Sequence, residues 1–186
     1  MMRAILFGFM LLGLLPVACT TPPPPYTVSL SGVNITFGLD MDGWAINMAQ
    51  WAFADPARTQ GRPVEAARAA AALEYLAVQL DAPRWTGMNP LTQLKMKQAR
   101  AELRQALGIV PEAPPQPVIH ALMACADALA AGDPVAAATP LRNPFFTFGA
   151  ERTLAILAAM PYLRAANVAT MRAGAADPGS GMSMLR

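Results

Sequence analysis

Apolar residues recur with helical spacing through most of this chain. The clearest stripe runs over residues 63–81, where apolar side chains repeat at positions i, i+3, i+4 and i+7. Its members are Ala66, Ala69, Ala70, Leu73, Leu76, Ala77 and Leu80. This spacing predicts an amphipathic helix, and its many alanines predict close packing against neighbouring helices.

Another helix is predicted over Gly43–Ala54, with Asp42 as its N-cap and Asp55-Pro56 as its end. This helix is apolar on two opposite faces. One face carries Trp44, Met48 and Trp51, and the other carries Ile46, Ala49 and Phe53. Because a helix that is apolar on both sides is usually surrounded by other elements, the pattern indicates the central helix of the domain.

Proline, asparagine and glycine mark the boundaries of the other helices. Asn89-Pro90 supplies an N-cap and a first-turn proline, and Gly108 supplies a stop, so a helix is predicted between them. Further helices are predicted over 117–131, 134–139, 150–160 and 161–173, with Pro161 either kinking or restarting the last of them.

These elements predict an all-α, single-domain fold, an irregular bundle of about five to seven short helices over residues 42–176. Residues 26–41 are dense in β-branched side chains, and we expect an extended N-terminal arm there, laid on the helices. The tail 177–186 (DPGSGMSMLR) is expected to be disordered.

The first residues predict export. Arg3 is followed by an unbroken apolar run over 4–15. As a helix this run would rise only about 18 Å, which is too short for a hydrocarbon core of about 30 Å. A charged start, a short apolar middle and small residues after it are typical of a secretory signal peptide, here residues 1–18.

The segment Val17-Ala18-Cys19 resembles the lipobox of bacterial lipoproteins. The resemblance covers about twenty residues and departs from the pattern at Pro16, where a leucine is usual. It implies that Cys19 carries diacylglycerol and fatty acyl chains such as palmitate, and that residues 19–25 form a lipidated, proline-rich spacer. Thr20 stands where an aspartate would imply retention in the inner membrane, so the outer membrane is favoured. Cleavage near Ala18 by an ordinary signal peptidase is the alternative.

Composition and charge narrow the class of partner. The chain is 54% hydrophobic, which argues against disorder throughout. With 14 Lys+Arg against 12 Asp+Glu, the formal net charge is only +2. Since nucleic-acid binding draws on a large excess of positive charge, no nucleic-acid partner is expected. The expected partners are the membrane, through the lipid anchor, and another envelope protein.

Candidate chemistry is sparse. His120 is the only histidine, and helical geometry places it with Asp127 on the face opposite the apolar stripe. The two lie about 10.5 Å apart along the axis, too far for a direct hydrogen bond, so this pair is a weak candidate for a polar site. Cys125 falls on the apolar stripe, where a thiol is a buried, unreactive hydrophobe.

No cofactor or metal is expected. Asp40-Met41-Asp42-Gly43 looks like the start of a calcium loop, but tryptophans occupy the later ligand positions. The twelve methionines lack the clustering with histidine that soft copper would need, and no phosphate loop or nucleophile elbow is present.

Three hypotheses on function follow. The first is a non-catalytic cell-envelope lipoprotein, exported and lipid-anchored facing the periplasm, whose helical domain is a protein-interaction or assembly and accessory module. Aromatic residues near predicted loops suit an interface or plug the ends of the bundle: Trp85, Phe145, Phe146 and Tyr162. The alternatives are a carrier or sensor of a small apolar ligand, which the alanine-rich packing disfavours, and a hydrolase that uses His120.

Overall fold

A computed structural model of the chain describes residues 28–30 and 40–177. The predicted signal peptide, Cys19 with its spacer, most of the arm and the tail after residue 177 lie outside the described residues. The described ranges hold seven α-helices and no β-strand, which confirms the predicted all-α bundle. The helices are α1 Met41–Ala54, α2 Pro63–Gln79, α3 Pro90–Leu107, α4 Pro115–Ala130, α5 Pro134–Leu141, α6 Gly149–Ala158 and α7 Arg164–Ala176.

Helix α3 begins and ends where its local signals predict. The Leu91 N–H donates to the Asn89 side-chain oxygen at 2.9 Å, and Pro90 occupies the first turn. Gly108 ends the helix with a φ of +66°, a conformation that costs a residue with a Cβ about 1–2 kcal/mol.

The start of α1 differs from the prediction by two residues. The N-cap is Asp40, whose carboxylate accepts the Gly43 N–H at 2.8 Å, and the helix begins at Met41. The prediction that Asp42 is the cap is therefore wrong. Asp42 is turned inward instead, only 1% exposed, where it meets residues of α2 and of the following loop.

The central helix is α2, and the prediction that α1 is central is also wrong. Helix α2 packs against α1, α3, α4 and α6, so it is buried around its whole circumference between residues 69 and 77. Its alanines make this possible, since small side chains let four helices approach closely. Helix α1 contacts α2 and α7 and leaves its other face partly exposed.

Two helix ends at prolines also differ from the prediction. Helix α5 runs through Pro140 to Leu141, because a proline in the last turn removes only one backbone bond. Helix α6 ends at Ala158, whose carbonyl accepts the Gly61 N–H at 2.8 Å. The chain then stays non-helical past Pro161.

Helix α7 restarts at Arg164 because Glu102 of α3 caps it. One oxygen of the Glu102 carboxylate accepts the N–H groups of Ala165 and Ala166, at 2.8 and 3.1 Å. These amides belong to the first helical turn, which has no partners within its own helix. The contact joins α3 to α7 and fixes the turn between α6 and α7.

The described part of the arm is held against α4. Ser29 exchanges two hydrogen bonds with the Gln116 side chain: its N–H donates to Oε1 at 2.7 Å, and its carbonyl accepts from Nε2 at 2.9 Å. Leu30 is 1% exposed and belongs to the hydrophobic core. Residues 28–30 have no regular secondary structure.

A buried ion pair joins α2 to α3. Arg104 donates from Nε and Nη2 to the two carboxylate oxygens of Glu74, at 2.7 and 2.8 Å. Its Nη1 also faces the carbonyls of Pro111 and Ala113, at 2.6 and 2.9 Å, and that of Val110 at 3.3 Å. One guanidinium group therefore holds α2, α3 and the loop before α4 in register.

Candidate functional site

Helix α1 carries an aromatic surface, which we call the tryptophan face: Trp44, Asn47, Met48 and Trp51. The four side chains line a shallow concavity of about 250 Å³ on the outside of the helix. Asn47 is exposed, and the three apolar residues are partly exposed while also contacting the core. A single helix thus presents two indole rings and a flexible thioether to its surroundings.

Arginines from the next loop hold one end of the tryptophan face. The Arg62 guanidinium lies over the Trp51 ring, 5.3 Å from its centroid, and also pairs with Glu65 at 2.8 Å. Arg58 donates to the Trp51 carbonyl at 2.9 Å. The Arg62 contact restrains the Trp51 indole, and a restrained aromatic residue loses less entropy when it binds.

A larger concavity, which we call the α3 groove, lies between α3 and the loops that precede α4 and α6. Its volume is about 540 Å³. The α3 side is lined by Lys97, Arg100, Ala101, Arg104 and Gln105, and the loop side by Gly108, Ile109, Val110, Pro111, Thr147 and Phe148. One wall is basic and the opposite wall is largely apolar.

The three cations of the basic wall pair with carboxylates of α2 and of the loop after it. Glu74, fully buried, binds Arg104 through both oxygens and also lies 3.7 Å from the Arg100 Nε. One carboxylate therefore serves two guanidinium groups. Lys97 pairs with Asp81 at 2.6 Å, but both side chains are about half exposed, and such a pair contributes little.

The apolar wall is built on a backbone bridge between two loops that are far apart in sequence. Ile109 and Phe146 form an antiparallel bridge, and the Val110 N–H donates to the Phe145 carbonyl at 2.9 Å. Thr147 donates to the Gly108 carbonyl from both its N–H and its hydroxyl, each at 2.8 Å. These bonds hold the wall in one conformation.

Phe148 lies directly against Gly108. A Cβ added at Gly108 would stand 2.3 Å from Cγ of the Phe148 ring, so only glycine leaves room for it. The Arg152 guanidinium also lies over this ring, 4.4 Å from its centroid. Phe148 remains 38% exposed and forms an aromatic edge of the groove.

The inward-facing Asp42 lies in a second buried polar cluster. Its carboxylate accepts from the Tyr75 hydroxyl at 2.5 Å and from the Trp85 indole N–H at 2.8 Å. The Arg84 guanidinium lies 3.0 Å from the Asp42 carboxylate and also pairs with Asp40.

This arrangement shifts the pKa values of two groups. The Gly43 N–H and the Arg84 guanidinium hold the pKa of the Asp40 carboxyl below its ordinary value. Burial, and then the hydrogen bond to Asp42, raise the pKa of the Tyr75 hydroxyl. Both carboxylate oxygens of Asp42 have partners within the protein, so the cluster is structural.

The structure does not bring the sequence-predicted polar residues into either concavity. His120 and Asp127 are both exposed on α4, and Asp127 lies 3.5 Å from Arg68 of α2. Cys125 is fully buried, and burial raises the pKa of its thiol to about 11. Cys19 lies outside the described residues.

The loop aromatics differ in how exposed they are. Trp85 and Phe146 are buried in the hydrophobic core, and Phe145 is partly buried and packs against it. Tyr162 is 54% exposed. Phe148, two residues after Phe146, lines the larger concavity.

Three further searches, for metal-ligand clusters, for membrane-spanning helices and for similar proteins, point to no other site. Among residues 28–30 and 40–177, no three acidic, histidine or cysteine side chains are grouped so that they could bind a metal ion. No described helix is both long enough and apolar enough to cross a membrane. Comparison of the chain with protein-family models, with curated proteins and with solved structures finds no match to any of them.

Proposed function

We propose that this chain is a non-catalytic lipoprotein of the cell envelope, exported and anchored through Cys19 on the periplasmic side of the outer membrane. In this proposal the helical domain binds another envelope protein and acts as an assembly or accessory subunit. The N-terminal sequence supports the anchor, and the tryptophan face supports the partner.

The tryptophan face is the observation that carries the proposal. Trp44 and Trp51 lie on a different face of α1 from its buried core residues, and both side chains are partly exposed. Tryptophan, methionine and arginine are enriched at protein interfaces, and tryptophan is prominent among the residues that contribute most binding energy. A convex row of apolar side chains on a partner, such as one face of an amphipathic helix, fits a shallow concavity of this kind.

The anchor is tested by metabolic labelling with a radioactive or clickable fatty acid, comparing the wild-type chain with Cys19→Ser. We expect label on the wild type and none on the variant. Absence of label from both chains would contradict lipidation, and would favour cleavage near Ala18 by an ordinary signal peptidase.

The partner is tested by photo-crosslinking in intact cells. A photoreactive amino acid is placed at Asn47, at the centre of the tryptophan face, and at Ala124, an exposed control position on α4. We expect a discrete protein adduct from position 47 alone, and we expect it to disappear when Trp44→Ala and Trp51→Ala are added. Adducts with lipid only would contradict the proposal and assign the face to the membrane surface.

A further inference from the structure

We propose that the tryptophan face binds a short methionine-rich segment, and that residues 182–185 of the chain's own tail (MSML) occupy it when no partner is bound. This inference rests on the proposed function, since it takes the same face as the partner's site. A partner would have to displace the tail in order to bind.

Helix α7, which precedes the tail, runs antiparallel to α1. Near the start of α7, the Asn167 side chain donates to the Phe53 carbonyl at 3.0 Å, at the end of α1. One turn later, the Met171 sulfur accepts from the Gln50 side chain at 3.5 Å. A Cβ on Gly174 would collide with that same glutamine, so the last turn of α7 lies directly against α1.

These contacts place the end of α7 beside the centre of the tryptophan face. Helix α7 ends at Ala176, only two residues after Gly174. Asn47 lies one turn before Gln50 on α1, and it lines the concavity together with the two tryptophans. The tail therefore begins next to the concavity.

The length and sequence of the tail match the face. Five peptide units join Asp177 to Met182, so these residues can be up to about 17 Å apart. Trp44 and Trp51 are separated by only about 10.5 Å along α1. The Pro-Gly-Ser-Gly sequence before Met182 permits the chain to turn back. In an extended segment, Met182 and Met184 lie on the same side and reach the face together.

Methionine suits a surface of two partly exposed indoles. Its thioether is polarisable and makes favourable contacts with aromatic rings, and its unbranched side chain adapts to a shallow concavity. Because the tail is tethered, its effective concentration at the face is in the millimolar range, and weak contacts are sufficient. This tether favours the chain's own tail over that of a second copy.

The test places a diazirine amino acid, which reacts with any nearby side chain, at Asn47 of the purified full chain. Trypsin cleaves after Arg172 and releases residues 173–186 as one peptide, in which fragmentation locates the adduct. We expect the adduct at residues 182–185, beyond the part of α7 that already lies near Asn47. The same amino acid at Ala124, exposed on α4, should give no adduct with the tail.

Two tail variants test the side chains. Met182→Ser/Met184→Ser/Leu185→Ser removes the apolar contacts and should lower the yield of the adduct about tenfold or more. Ser183→Ala keeps those three residues and should give the wild-type yield. All four positions lie after the last described helix, so both variants should have the same far-ultraviolet circular dichroism as the wild type.

An equal mixture of ¹⁵N-labelled and unlabelled chains separates the two possible sources of the tail. Adducts within single chains support the proposal. Adducts that join labelled to unlabelled chains overturn it and assign the face to a second copy.

The remaining outcomes are also decisive. Absence of an adduct at residues 182–185, or equal yields from the triple variant and Ser183→Ala, overturns the proposal. The proposed function is judged separately, by the partner adduct from position 47 in intact cells. That adduct can appear when the purified chain shows no contact with the tail, and its absence leaves a contact in the purified chain unchanged.

Discussion

The buried pair of Arg104 and Glu74 gives the sharpest prediction on stability. In Arg104→Met, the Glu74 carboxylate stays fully buried and loses two hydrogen bonds of 2.7 and 2.8 Å. Breaking a buried pair by removing one partner typically costs about 3–5 kcal/mol. Arg100, whose Nε is 3.7 Å from Glu74, compensates only in part. We therefore expect the free energy of unfolding to fall by about 3–5 kcal/mol.

The loop carbonyls make this pair different from an isolated ion pair. Replacing both partners of a buried pair with apolar residues is often neutral, because no charge is left behind. In Glu74→Leu/Arg104→Met, however, the carbonyls of Pro111 and Ala113 lose their donor at 2.6 and 2.9 Å. Ala113 is buried, and an unsatisfied buried carbonyl costs about 1–3 kcal/mol, whereas exposed Pro111 can turn to water. We expect the double variant to remain at least about 1 kcal/mol less stable than the wild type.

Urea unfolding followed by circular dichroism measures these differences. For a chain of this size, each kcal/mol corresponds to a change in Tm of about 2–4 °C, so Arg104→Met should melt about 10 °C lower. Lys97→Met is the matched control on the same face of α3, and its exposed pair with Asp81 should contribute less than about 1 kcal/mol. If Arg104→Met costs no more than this control, the buried network does not stabilise the fold. Wild-type stability in the double variant would refute the role assigned to the loop carbonyls.

Three further predictions concern single positions. Gly108→Ala should destabilise more than Gly132→Ala, because both glycines have positive φ but only at Gly108 would the Cβ meet the Phe148 ring; equal losses in urea unfolding would contradict this. Thr153→Val should leave stability unchanged or raise it by about 1 kcal/mol, since the buried Thr153 hydroxyl has no hydrogen-bond partner in the described structure, and a lower Tm would count against this. The Cys125 thiol, with its pKa raised to about 11, should resist alkylation at pH 8 in the folded chain and react in urea, as read by peptide mass spectrometry.

The Cys125 thiol also predicts how stability depends on pH. Burial raises its pKa from 9.0 to about 11, so the folded state holds the proton more tightly than the unfolded state. The corresponding stability is fully present below pH 9.0 and is lost as the pH rises through about 11. Cys125→Ala should lose less stability than the wild type between these two pH values in urea titrations; identical curves would contradict the assignment.

The sequence predicted those features of the fold that depend on residues close together in the chain. The ends of α3 were predictable because Asn89 and Gly108 act on backbone groups within a few residues of themselves. The apolar stripe of α2 predicted which side is buried, but not that neighbours cover the helix on all sides. That outcome depends on four other helices, which no local pattern of alanines specifies.

The parts that the sequence did not predict depend on contacts between distant residues. Asp42 looked like a cap because it stands next to a helix start, and only its bonds to Tyr75 and Trp85 show why it is turned inward. The α3 groove likewise needs the bridge between Ile109 and Phe146, from loops that are unrelated in sequence. The spacing of Lys97, Arg100 and Arg104 along α3 was a usable signal, but it gave no indication of an apolar wall opposite.

In the proposed lipid-anchored protein, the attachment of Ser29 and Leu30 to the helical domain would limit the distance between that domain and the bilayer. If the first contact with the helical domain were at Asp40, a linker of twenty-one peptide units would join Cys19 to that domain. Fully extended, this linker would span about 70 Å. With Ser29 fastened to Gln116, only ten units remain, and the linker shortens to about 35 Å. If the chain is anchored at Cys19, the greatest distance between the helical domain and the lipid surface is therefore about halved.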